Sequence, residues 1–516
     1  MARVGPRPSG MRFFTRFAFP TLLALSACGP IGGEGGANGN DRTNGGQNGD
    51  VLLTGAMVVS PDGAYAVMQR NTVSVLVDIQ KRTAKELPFQ GERFLFAKNH
   101  PVLFAVKPNR GGVVAFDLDA GTSVLWTTTP AFNTTASALL LRISDDDRSL
   151  VLGDYDRVFV LDATSGSIRG TVSVGSVPTD VAFVGPDKAL IVGSVRWPNH
   201  QPATAVVHAD LTTLASTTID VPNCDAPIAV LPDHTRAFLS PTYCEEGKAT
   251  NPNGQWTNPD PVSVIDLDAN GPHFLKNLPG FGPVAMSKDG ARVVAYLDTK
   301  RMDPAMFVDK KQVPSTSGDS FHLMVIDPTS LAFTLSPIGN ALPRFAMTLD
   351  GHGLLVDATV KALRGGAYAN VTLGPDGLVA EAGVFGGVKS PFGYFDLDAR
   401  AFTAFQGPGA ALDRFVQTKD GKVYTLKTQS DGLGGALFSI DLGTKTTVDL
   451  SRSLRDVGIL PDGRTLILRI RLPAASINGQ LFTQEDYCFA TDPSVCDFTI
   501  HYQSKTPVPS CEHDCY

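Results

Sequence analysis

Residues 57–67 read Met57-Val58-Val59-Ser60-Pro61-Asp62-Gly63-Ala64-Tyr65-Ala66-Val67. A short apolar strand runs into Ser-Pro-Asp-Gly, and a second apolar strand leaves it. Proline presets φ, aspartate closes an Asx turn and glycine takes positive φ, so the stretch spells a tight hairpin. The same punctuation returns at Ser144-Asp145-Asp146-Asp147, Gly185-Pro186-Asp187-Lys188, Leu231-Pro232-Asp233-His234 and Ser287-Lys288-Asp289-Gly290. It continues at Leu349-Asp350-Gly351, Thr418-Lys419-Asp420-Gly421 and Leu460-Pro461-Asp462-Gly463, with a degenerate copy at Lys98-Asn99-His100-Pro101.

Each hairpin is followed by an alternating strand that ends in a hydrophobic-Asp-hydrophobic step. Val77-Asp78-Ile79, Phe116-Asp117-Leu118, Leu161-Asp162-Ala163 and Ala209-Asp210-Leu211 are the first four. Asp266, Asp327, Asp396 and Asp441 mark the next four, and Asp492 a weaker ninth. A turn and another alternating strand come after each, so a unit holds four antiparallel strands. The unit is about 40 residues at its shortest and lengthens through the middle of the chain. This phased pattern resembles β-propellers of the WD-repeat-like and YVTN-repeat kind, in which a Ser-Pro-Asp-Gly hairpin precedes a strand ending in Ile-Asp. The resemblance implies an all-β fold, a single propeller filling 51–505. Nine units can be counted, but the last lacks clean alternation. The expectation is therefore about eight blades (seven to nine), with the final unit as a cap or closing strands. A β-helix or β-sandwich would show shorter repeats or none.

Composition agrees. The 516 residues are 43% hydrophobic and 18% charged, with 51 Gly and 36 Pro, which is too much punctuation for a helical bundle. Net charge is −7, and the first 27 residues carry four Arg and no acid, so the remainder is more acidic still. That balance argues against a nucleic-acid partner while leaving room for a local basic patch.

Residues 1–27 have the form of an export signal: arginines flank the apolar run Phe17 to Leu25, which is too short to span a bilayer. Leu25-Ser26-Ala27-Cys28 then resembles the lipobox of bacterial lipoproteins. The resemblance implies cleavage before Cys28, a diacylglyceryl group on its thiol and, with Gly29 next, an outer-membrane location; the membrane is thus an expected partner. Residues 28–50 are Gly/Asn-rich and cannot bury a core, so they read as a tether spanning roughly 25 Å on average.

With Cys28 assigned to lipid, six cysteines remain in an oxidising compartment. Cys224 and Cys244 flank one hairpin and are expected to bridge. Cys488, Cys496, Cys511 and Cys515 crowd the end, where 506–516 forms a tail; Cys488–Cys496 with Cys511–Cys515 is the local solution, and crossed pairings are open. The nine histidines stand singly, without zinc spacing. No Gly-x-Ser-x-Gly elbow, Walker A or dinucleotide fingerprint occurs. Leu118 to Trp126 resembles the docking repeat of quinoprotein-type propellers, but the chain has only Trp126, Trp197 and Trp256 and lacks a vicinal cysteine pair. No catalytic residue, metal or cofactor is therefore expected. Three insertions stand out: Tyr243 to Pro261, Asp298 to Ser320 and Lys361 to Lys389. They belong to successive units and should cluster on one side of the ring as a recognition surface, with Trp256 and Phe307 as anchors. The resulting expectation is a lipid-anchored, non-catalytic binding or scaffold protein for a protein or glycan partner. The alternative is a lactonase-like hydrolase with its site in the central channel.

Overall fold

The structure, a computed structural model, describes residues 57–505 apart from loop stretches, of which 127–139, 194–204, 240–260 and 373–391 are the longest. Nine four-stranded antiparallel sheets follow one another along the chain. They span residues 57–86, 93–126, 141–173, 178–220, 228–278, 281–339, 344–404, 414–454 and 456–503, and are called blades 1 to 9. Each blade is a meander in which consecutive strands pair. Among the described residues, only blade 7 takes in an extra hairpin, Thr359–Arg364 with Ala367–Thr372, between its second and third strands.

The sequence dictates this arrangement through burial. The inner strands are short, nearly unbroken apolar runs; Ser149–Gly153 in blade 3 is buried at every residue. Such a run needs cover on both faces of its sheet. The fourth strands alternate instead, as in Thr83–Glu86 and Ala401–Ala404, because they form the outer edge.

Nine apolar clusters supply the cover among the described residues, and each draws side chains from two successive blades. The last joins Ala66, Met68, Val75 and Val77 of blade 1 to Ile467, Tyr487, Phe489 and Ile500 of blade 9, so the ring closes. Closure uses no exchanged strand, since blades 1 and 9 are each complete within their own end of the chain. Polar contacts reinforce the seam. The Met57 amide donates to Asp456 Oδ2 at 2.8 Å, and the Tyr502 hydroxyl and Lys505 amide donate to Glu86 Oε1 at 2.8 and 2.9 Å. The Arg82 guanidinium lies 4.4 Å from the centre of the Phe498 ring.

The fold is thus an all-β propeller with nine blades. The final unit, expected as a cap, is a full blade. Its strands Leu466–Ile477 and Gln480–Ala490 are so long that the repeat spacing and the alternation are both obscured.

Candidate binding rim

A meander fixes what each rim of the ring carries. Hairpins between first and second strands and between third and fourth strands lie at one end, here the turn rim. Connections between second and third strands and from blade to blade lie at the other, the loop rim.

On the turn rim the repeated acids are engaged in holding turns. In blade 1 the Ser60 hydroxyl donates to Asp62 Oδ1 at 2.5 Å and accepts the Tyr65 amide at 2.9 Å, while Asp62 Oδ1 accepts the Ala64 amide. Ser144 with Asp146 and Thr348 with Asp350 repeat the arrangement in blades 3 and 7. At the second turn, Oδ1 of Asp117, Asp162, Asp210, Asp327, Asp396 and Asp441 accepts two backbone amides each. These bonds favour the carboxylate. Backbone bonds from Thr213, Ser330 and Thr444 lead in lowering the pKa of Asp210, Asp327 and Asp441. Asp162 falls to about 2, chiefly because Arg169 bonds it at 2.7 Å. Four residues after the aspartate the backbone is left-handed at Arg82, Gly121, Gly166, Leu214, Leu331, Arg400 and Lys445.

The loop rim is built differently. Innermost strands open here, and three of them open on arginine: Arg93–Phe96, Arg344–Met347 and Arg414–Gln417. Arg455 directly precedes the innermost strand of blade 9, Asp456–Ile459. The nine innermost strands contain two acids, Asp180 and Asp456. Both stitch neighbouring blades: Asp180 Oδ2 accepts the Ile228 amide at 3.0 Å and Asp456 takes the Met57 amide. Arg142 also reaches Asp180, at 3.5 Å.

Blade 9 breaks the outline of this rim. In every other blade, among the described residues, the second strand ends within two residues of the partner of the first strand's opening residue. In blade 9 Asp456 pairs with Arg469, yet the second strand continues through residues 470–477 and returns from Gln480. At ~3.3 Å per residue the overshoot is about 25 Å. A register shift between Leu472 and Ala475, at Pro473, bends this finger. Asn478, at φ +52°, turns it, and Ile477 stands exposed beside the tip.

A buried ion pair anchors the finger's base. Arg469 Nη2 and Nε donate to Glu485 Oε1 and Oε2 at 2.8 and 3.1 Å, and the Tyr487 hydroxyl donates to Oε2 at 2.9 Å. Both charged side chains are almost wholly buried. Burial opposes the guanidinium's charge, but Glu485 outweighs it and the Arg469 pKa is raised. The repeat pattern does not reveal this pair. Its signal was an arginine inside the apolar run Leu466-Ile467-Leu468-Arg469-Ile470, with a glutamate in the next strand.

The three insertions all leave from this rim, because each lies between second and third strands. Trp256 lies outside the described residues, as do Cys28, Cys224, Cys244, Cys511 and Cys515. Phe307 corrects an expectation. It is 1% exposed and packs edge-on against Phe333 at 5.7 Å, so it cannot anchor a partner at the surface. Phe333 pairs with Ile326 at the far end of blade 6 from Asp298, where the insertion departs. The insertion therefore folds back along blade 6 as a strap. Cys488 and Cys496 form a disulfide, with Arg452 Nη1 of blade 8 at 3.8 Å from each sulfur. Among the described residues no group of three or more His, Cys, Asp or Glu is placed to hold a metal ion.

No protein-family model matches the chain, and no curated protein matches it. Several solved structures are distantly similar. Dihydro-heme d1 dehydrogenase NirN in complex with DHE is 13% identical over 77% of this chain and 75% of that one, with a TM-score of 0.42. A eukaryotic initiation factor is 10% identical over 87% and 88%, TM-score 0.40. Kuenenia stuttgartiensis hydrazine synthase is 15% identical over 65% and 93%, TM-score 0.35. At these identities and scores they transfer no ligand, activity or partner.

Proposed function

We propose that this chain is a lipid-anchored envelope propeller that binds a protein or glycan partner through its loop rim, without catalysing a reaction. The observation that carries the reading is the division of labour between the rims. The repeated carboxylates are committed to turn geometry on one side, whereas every long insertion issues from the other. Loops freed from structural duty on a rigid scaffold are where recognition is generally placed. The two acids of the innermost strands stitch blades together instead of converging, which favours binding over a hydrolytic channel. The lipobox-like Leu25-Ser26-Ala27-Cys28 supplies the anchor in this reading, with the outer membrane as its location.

The test is co-purification after cross-linking in the native envelope. It compares the full mature chain with a variant in which 240–260 and 373–391 are replaced by short turns, both checked for folding by circular dichroism. Loss of a specific partner on trimming is the expected result; an unchanged partner set overturns the loop-rim reading. Palmitate labelling of wild type against Cys28→Ala tests the anchor, and labelling that persists in the variant removes it.

A further inference from the structure

The turn between the third and fourth strands of blade 9 sets a disulfide against a guanidinium. Cys488 and Cys496 close the turn as a covalent bridge. Cys488 is wholly buried in the seam between blades 8 and 9, while Cys496 is part-exposed among the exposed Ser494, Val495 and Asp497. Arg452, on the outer strand of blade 8, Thr446–Leu454, reaches across that seam. Its Nη2 donates to the Ser494 carbonyl at 2.6 Å, which by itself tacks the turn to blade 8. Its Nη1 stands 3.8 Å from both sulfurs. A disulfide is neutral and gains little from a full positive charge beside it, whereas a thiolate at either sulfur gains much.

From this contact we propose that Cys488–Cys496 is a thiol–disulfide exchange site opened by a dithiol, with Arg452 as the positioning residue that steadies the departing sulfur. A thiolate of the dithiol attacks Cys496 Sγ, the sulfur of the part-exposed residue. The Sγ–Sγ bond breaks, and its electron pair leaves on Cys488 Sγ beside Arg452 Nη1. The dithiol's second thiolate then attacks its own sulfur in the mixed disulfide. Cys496 Sγ departs with that bond's electron pair and takes a proton from water. Two electrons have passed to the protein, and the dithiol has become a cyclic disulfide. A thiol of lower pKa leaves faster, and an adjacent arginine lowers a thiol's pKa. Burial acts the other way on Cys488, so the guanidinium is what lets this sulfur leave as a thiolate. The other ionisable groups around the bridge are Asp449 on the strand of Arg452, Lys422 and Tyr424 on the second strand of blade 8, and Asp492 and Asp497 in the turn. The two turn carboxylates are engaged locally. Asp492 Oδ1 accepts from the Ser494 amide and hydroxyl at 2.9 and 2.7 Å, and Asp497 Oδ2 from those of Thr491 at 2.8 and 3.1 Å. The proposal goes beyond the function proposed above and depends on neither its anchor nor its partner.

The experiment treats the full oxidised chain with excess dithiothreitol near neutral pH. Free thiols are trapped by alkylation over time, and peptide mass reads Cys488 and Cys496 separately from the other cysteines. Wild type is compared with Arg452→Gln and Arg452→Lys, each checked for folding by circular dichroism. Arg452→Gln is expected to slow opening about fivefold. Arg452→Lys keeps the charge and is expected to recover most of the rate. An arginine that merely tacks the turn down predicts the opposite sign, because its loss exposes the bridge and speeds reduction. In the reduced chain, the pH midpoint for alkylation of Cys488 is expected to rise by about 1 in Arg452→Gln. A bridge that stays closed in the folded wild type, opening that is unchanged or faster in Arg452→Gln, or a midpoint that does not move overturns the proposal.

Discussion

The two rims of this ring are made by the same repeat under opposite demands. At the turn rim, blade after blade solves one backbone problem, reversing direction within a few residues, and solves it with the same aspartate bonds and the same left-handed residue. At the loop rim no such uniformity holds: one connection carries an extra hairpin, one folds back as a strap, and one is a finger. The lesson is that repetition of an acid marks structure, and departure from the repeat marks the surface free to acquire a task. Read by composition alone, the aspartates would be the natural suspects for chemistry.

The contrast can be broken at its strongest point first. The loop rim holds a buried ion pair, Arg469 with Glu485. Glu485→Ala leaves a buried guanidinium unpaired and is expected to cost about 3–5 kcal/mol in urea denaturation; a loss below about 1 kcal/mol means the pair is not buried as described. Phe307→Ala is next. If the blade 6 insertion is a packed strap, removing its ring costs about 3 kcal/mol, whereas a free loop would show no change in melting temperature.

The turn rim is sharpened by acid. Asp162, Asp210, Asp327 and Asp441 have pKa values below the usual carboxylate value in the folded chain, Asp162 at about 2. Their contribution is fully present above the unfolded pKa, near 4, and is lost as pH falls from there toward 2. The urea midpoint should therefore drop across that window, and Asp162→Asn should make the drop shallower. A midpoint independent of pH there contradicts the turn-holding role. Asp396→Ala should cost about 1 kcal/mol, the scale of the bonds it makes. The smallest effect has the opposite sign. Arg400 is exposed and left-handed at φ +54°, so Arg400→Gly should stabilise by about 0.5 kcal/mol, the relieved backbone strain outweighing glycine's added entropy. A destabilised variant would show that the turn does not need that conformation.

What could be read in the sequence follows the same division. Ser60-Pro61-Asp62-Gly63 and its relatives encode local turns, and turns recurring in phase encode a radial stack, so the fold was legible. The ninth blade was discounted because Leu466–Ile477 outruns the repeat and hides its alternation. The site was legible only in outline. Which rim an insertion leaves from follows from strand order, and that held for all three. Where it then goes does not, because Phe307 packs against Phe333 only once blade 6 is folded. Likewise Arg469 and Glu485 lie on facing strands whose register no local pattern sets.

A crystal structure of the chain tests the central claim most directly, because both rims exist only if the ring does. The account predicts nine four-stranded blades around one axis, with Ala66 and Val75 of the first packed on Tyr487 and Phe489 of the last. A ring of fewer blades, an open ring, or a first blade completed by a strand from the chain's other end would contradict it.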